Sequence, residues 1–213
     1  PLDLLILLVD PILLSLFDNQ FYYSFDSFFR AAYLEEFLKF TVLYFYVAKH
    51  YEFNEFVDGI VYGAAIGLGY AVAENLGYLY FTRDVNLTEL SIDRLYPMIA
   101  HVYYGIIMGI LLAKSAFRIL SNNLGIYLSL SIPLFLHGIH NYSFVSKNIP
   151  NVPTFIYIFF LLAVVFFLIS LPALRKVYAE QNKIDFTNYL YLKAVLFNLF
   201  LSVALSIIFG LIK

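Results

Sequence analysis

The chain has 213 residues, of which 62% are hydrophobic and 20% aromatic against 13% charged, with a net charge of -2 and no cysteine. Soluble domains run at roughly 45–50% apolar and about 25% charged, so a water-soluble enzyme is excluded. Near-neutrality gives no basic footprint for nucleic acid, and the missing cysteines remove disulfides, thiolate metal sites and cysteine nucleophiles together.

The apolar residues fall in runs of about 20, the length of a helix that crosses a hydrocarbon core ~30 Å thick. In chain order the expected membrane segments are Leu2–Phe17, Phe25–Lys49, Val57–Phe81, Arg94–Arg118, Leu124–Ser146, Pro153–Pro172 and Asn188–Ile212. The first is short and interrupted by Asp3 and Asp10, so the chain is expected to begin inside or just after a segment whose start is absent here. Connections are short, and the reading is an all-α, polytopic bundle of about seven segments forming one integral-membrane domain over 1–213. Lys49, Lys114, Arg118, Arg175, Lys176 and Lys183 gather at the ends that alternation places on one side, which should therefore be cytoplasmic.

Nine polar residues lie inside four of these segments: Glu35, Glu36 and Lys39; Glu74 and Asn75; His101; and His137, His140 and Asn141. A charge at the bilayer centre costs about 2.5–3.5 kcal/mol on insertion scales, so such residues face protein and are functional by default. Counted from helix ends at ~1.5 Å per residue, Glu35, Glu74, His101 and His137 each lie roughly 10–15 Å from the same membrane face. One shared layer on four alternating helices points to a single site, opening to the extracytoplasmic side.

Each group also has a plainer reading. Glu35, Glu36 and Lys39 can form a structural ion pair, although two carboxylates with one lysine leave an excess negative charge. Glu74 and Asn75 can be an interhelical hydrogen bond, His101 a satisfied core histidine, and His140 a packing residue. His50 lies in a polar loop. Gly59, Gly63, Gly67 and Ala71 form a small-residue stripe ending beside Glu74, and His101, Gly105 and Gly109 form another; small residues let helix backbones approach in lipid.

Five patterns in order, Glu35-Glu36-Phe-Leu-Lys39, Glu52-Phe-Asn-Glu55 leading into Asp58-Gly59, Gly69-Tyr70-Ala71-x-x-Glu74-Asn75, His101-x-x-x-Gly105-x-x-Met108-Gly109 and His137-Gly138-x-x-Asn141, resemble the PrsW family of intramembrane proteases. The likeness runs from about Glu35 to Tyr142 and extends to the CAAX prenyl endopeptidases and bacteriocin-processing relatives, which share a paired glutamate, a later histidine and a His-x-x-x-Asn helix. This chain departs in having Asn141 where some relatives have Asp, and His140 in place of an aromatic. Helices 153–213 lie outside the likeness, with no role assigned.

The resemblance implies hydrolysis of a peptide bond in a membrane-anchored protein, with site-1 cleavage of an anti-sigma factor as the expected case. Glu35 is the expected general base, with His101 holding the water, His137 and Asn141 stabilising the oxyanion and Glu36 relaying protons. Lys39 would balance charge, while Glu74, Asn75 and His140 would support the site or bind substrate. No metal is favoured, since the His-Glu-x-x-His arrangement of zinc peptidases is missing; the zinc version would use Glu35, His101 and His137. A proton- or cation-coupled transporter or channel is the alternative, separable by uptake in liposomes without proteolysis. A non-catalytic relative that only captures membrane helices is a third reading.

Overall fold

A computed structural model describes residues 18–81, 87–120, 122–145 and 188–211. The expected segments Leu2–Phe17 and Pro153–Pro172 lie outside them. Among the described residues the chain is entirely helical: α1 (Asn19–Phe25), a π-helical stretch π1 (Asp26–Tyr33), α2 (Leu34–Val42), a second π stretch π2 (Leu43–Val47), α3 (Phe56–Phe81), α4 (Leu87–Ala116), α5 (Asn122–Val145) and α6 (Asn188–Leu211).

Local chemistry explains the ends. Asp18 accepts from the Phe21 N–H at 2.8 Å and so caps α1. Asp58 accepts from the N–H groups of Asn54 and Glu55, closing the turn that launches α3. Residue Arg118 adopts a left-handed φ of 59°, and the Ile119 and Leu120 N–H groups return to the Lys114 carbonyl, which stops α4. Helix α4 begins seven residues before the expected Arg94, because helical geometry continues past the apolar run into the polar stretch that precedes it.

Three helices among the described residues, Phe56–Tyr80, Arg94–Ala116 and Leu190–Phe209, are long and apolar enough to cross a membrane. The rod over 19–47, divided into elements of nine residues or fewer, and α5 are not among them, so the described residues support three of the seven expected segments. The rod is also less regular than expected. Widened i→i+5 turns flank α2 on both sides, a geometry that recurs at functional sites.

Helices α3 and α4 pack through the glycine stripes. A Cβ added at Gly59, Gly63 or Gly67 would collide with the backbone carbonyl of Gly109, Gly105 or His101 respectively. Backbone therefore lies directly on backbone, and the third contact sets the position of His101 itself. On α5, Gly138 leaves the space occupied by the Phe28 ring from π1.

Helix α6 closes the bundle against α1, π1 and α5. Ser24 donates to the Ser206 carbonyl at 2.8 Å and the Tyr142 hydroxyl to that of Phe209 at 3.1 Å, while Gln20 meets Tyr142. Two apolar clusters result. One gathers Phe40, Tyr44, Phe53, Met108, Leu112 and Leu130, and the other Phe28, Tyr33, Leu134, Tyr142 and Leu205. The polar layer lies between them.

Candidate active site

Glu36 and Lys39 leave α2 on one face and are fully buried, with Lys39 Nζ 2.6 Å from Glu36 Oε1. The same oxygen accepts from His137 Nδ1 on α5 at 2.8 Å. Lys39 Nζ also lies 2.8 Å from His101 Nδ1 on α4 and 4.4 Å from the centre of the Tyr70 ring on α3. One buried ammonium thus touches side chains from three other positions in the bundle. The structural ion pair considered from sequence exists, but it belongs to Glu36 rather than to Glu35.

Glu35 is left over. Its Oε2 has no hydrogen-bond partner and lies 3.8 Å from His101 Nε2 and 3.9 Å from His137 Nε2. Those separations are too long for direct hydrogen bonds. One atom of Glu35, one of His101 and one of His137 lie within 4.8 Å of one another. A single oxygen atom placed among them would reach all three at about 2.8 Å, an ordinary hydrogen-bond length.

The remaining expected residues divide. Glu74 Oε2 lies 3.0 Å from His101 Nε2 and joins the cluster. Asn75 instead accepts from Arg94 Nε at 2.9 Å. His140 turns into an aromatic pocket of Tyr96, Tyr104 and Phe144, its Nδ1 2.8 Å from the Tyr104 hydroxyl. Asn141, half-buried one turn beyond His137, makes no side-chain hydrogen bond to another described residue. His50 lies in the exposed turn after π2, as expected.

Three residues were not singled out from sequence. Tyr104 stacks on His137 with ring centres 5.1 Å apart, Tyr70 backs Lys39, and Arg94 pairs with Glu74. Helical spacing held the signal for the last, since positions 94 and 101 are two turns apart on one face.

Tautomers follow from the partners. Glu36 only accepts, so His137 carries its hydrogen on Nδ1 and turns the Nε2 lone pair toward Glu35. Lys39 only donates, so His101 accepts at Nδ1, carries its hydrogen on Nε2 and donates it to Glu74.

The PrsW family model, described as PrsW family intramembrane metalloprotease, matches residues 3–170. The chain belongs to this family. Protease PrsW of Geobacillus kaustophilus (strain HTA426) is 39% identical over 124 residues, which cover 58% of this chain and 53% of that relative. Protease PrsW of Bacillus subtilis (strain 168) is 37% identical over 128 residues, 60% of this chain and 56% of the relative. Protease PrsW of Clostridioides difficile (strain 630) is 28% identical over 193 residues, covering 88% and 79%. The chain spans about half the length of the first two of these PrsW relatives. No solved structure matches it. With its three membrane-length helices, this PrsW family member is a multi-pass integral membrane protein.

The family description names a metalloprotease, and the donor set can be tested against that. Glu35 Oε2 and His137 Nε2 both present lone pairs to the same space. His101 Nε2, bearing the hydrogen that it gives to Glu74, does not. As arranged, the cluster falls one ligand short of the three protein ligands of a catalytic zinc site.

Proposed function

We propose that the chain hydrolyses a peptide bond of a membrane-anchored protein, inside or beside the bilayer, by water activated on glutamate. The observation that carries this reading is Glu35 Oε2, without a hydrogen bond and facing two imidazoles at 3.8 and 3.9 Å. Glu35 Oε2 and His137 Nε2 are two acceptors aimed at one point, and a water there would direct both hydrogens to them and leave a lone pair for attack.

Glu35 is then the general base, and the proton it takes returns to the leaving amine. His137 orients the water and is itself held by Glu36. Asn141 supplies an amide N–H to the developing oxyanion, since its side chain is uncommitted among the described residues. His101 contributes from the opposite side of the cluster. Its Nε2 lies 3.0 Å from Glu74 and 3.8 Å from Glu35, so with its hydrogen given to Glu74 it packs beside the Glu35 carboxylate and limits where that carboxylate can turn. Glu36 and Lys39 position the imidazoles.

Lys and Arg distribution supports placing the site toward the extracytoplasmic side, and the family resemblance supports an anti-sigma factor as substrate. The test is cleavage of a membrane-tethered peptide by the full chain in nanodiscs. Glu35→Ala, His101→Ala and His137→Ala should each abolish it while the protein stays folded. Full activity in all three would overturn the reading.

A second reading, a zinc-dependent peptidase, is favoured by the convergence of Glu35, His101 and His137 within 4.8 Å and by the family description. It requires His101 to give up the Nε2 hydrogen now directed at Glu74. Bound zinc would supply Lewis-acid activation of water. Stoichiometric zinc in the purified protein, with cleavage lost in strong chelator and recovered on zinc addition, would replace the first reading by this one.

A further inference from the structure

Arg94 stands at the start of the apolar part of α4, two turns before His101. Its guanidinium grips three residues of α3 at once. Nη2 forms an ion pair with Glu74 Oε2 at 2.6 Å, Nε donates to Asn75 Oδ1 at 2.9 Å, and the plane lies 4.0 Å from the centre of the Tyr78 ring. Glu74 Oε2 is the same atom that receives His101 Nε2–H at 3.0 Å. A planar fork that spans a carboxylate, an amide and a ring face is a property of arginine, which a lysine ammonium does not reproduce.

We infer that Arg94 is a positioning residue of the site, holding the Glu74 carboxylate so that it fixes the imidazole of His101. The inference rests on the peptidase reading for its consequence in catalysis, but its geometric core is independent of it. The Glu74 side chain is 22% exposed, so without Arg94 the carboxylate is free to turn outward toward polar surroundings. The Nε2–H of His101 then loses its acceptor, and the ring keeps only the Lys39 hydrogen bond at Nδ1 and its contacts with the Tyr70, Tyr104 and His137 rings. Two turns of α4 make the coupling short and stiff. Asn75 enters the same account, since its amide oxygen fixes the rotation of the guanidinium rather than serving the reacting groups.

The chain has four histidines, so 15N-histidine spectra of the full chain in nanodiscs are assignable by single substitutions. Wild type should show a hydrogen-bonded Nε2–H signal that His101→Asn removes. Arg94→Ala and Arg94→Lys should both broaden or abolish that signal. Their kcat for the tethered peptide should fall about 10- to 100-fold, the usual penalty for losing a supporting hydrogen-bond partner, with KM changed less than twofold. Added guanidinium at millimolar concentration should restore part of the signal and of the turnover to Arg94→Ala. Should Arg94→Ala fail to fold, Arg94→Lys keeps the charge and decides the matter. An unchanged His101 signal in the folded variants overturns the inference even if cleavage falls. A wild-type protein that shows the signal and cleaves nothing refutes the peptidase reading and leaves the positioning role to be judged by the signal alone.

Discussion

His137 Nδ1 donates to Glu36 Oε1 at 2.8 Å across 101 residues of sequence, and both side chains are buried. Because the same oxygen receives Lys39, a single carboxylate atom joins α2 to α5 and, through Lys39, to α4. Adjacent glutamates therefore have unlike surroundings, and their substitutions should differ in kind.

Glu35→Gln should cut cleavage by at least 100-fold, the scale of general-base catalysis, while leaving the melting temperature near that of wild type. Its Oε2 makes no hydrogen bond to lose. Peptide cleavage and thermal unfolding of the same preparations check the pair of outcomes.

Glu36→Gln should instead destabilise the fold by about 3–5 kcal/mol, the cost of leaving one partner of a buried ion pair uncompensated. Unfolding in detergent with increasing denaturant measures it. Adding Lys39→Met to Glu36→Gln should cost less than the sum of the two single changes, since each removes the same interaction.

Gly63→Ala and Gly109→Ala should each lower stability by about 1–3 kcal/mol, because the new methyl meets backbone that has no rotamer with which to move aside. Gly69→Ala is the matched comparison: nothing lies within 4 Å of its added Cβ, and it should be neutral or slightly stabilising. Thermal unfolding separates the two classes.

Asn141→Ala should lower kcat about 100- to 1000-fold with little change in melting temperature, the behaviour of an oxyanion donor that carries no structural bond. A parallel loss of folding with activity would place Asn141 among the packing residues instead.

That Glu35, Glu74, His101 and His137 share one level of the bundle was legible, because helix rise converts sequence spacing directly into height along each helix. Their division of labour was not. Glu35 and Glu36 differ by about 100° around one helix, and only the neighbours supplied by α4 and α5 decide which of them is tied down. Spacings of three and four both suit an ion pair on a helix, so sequence left Lys39 open to either glutamate, and the fold pairs it with Glu36 at i+3. Arg94 read only as the charged start of a span, because nothing local reveals that it pairs with Glu74. The π turns on either side of α2 left no mark in composition either, since the run contains no glycine or proline to announce them. His140 and Asn141, neighbours in sequence, diverge into an aromatic pocket and an uncommitted position for the same reason that the glutamates do.

The buried Glu36 also bears on how the protein is made. The rod over 19–47 carries Asp26, Arg30, Glu35, Glu36 and Lys39, and the partners of its innermost carboxylate are completed only when the chain has grown as far as His137. A chain that stops short of α5 keeps the membrane-length helices α3 and α4 but leaves the buried Glu36 carboxylate without His137 and Glu35 without the imidazole that faces it.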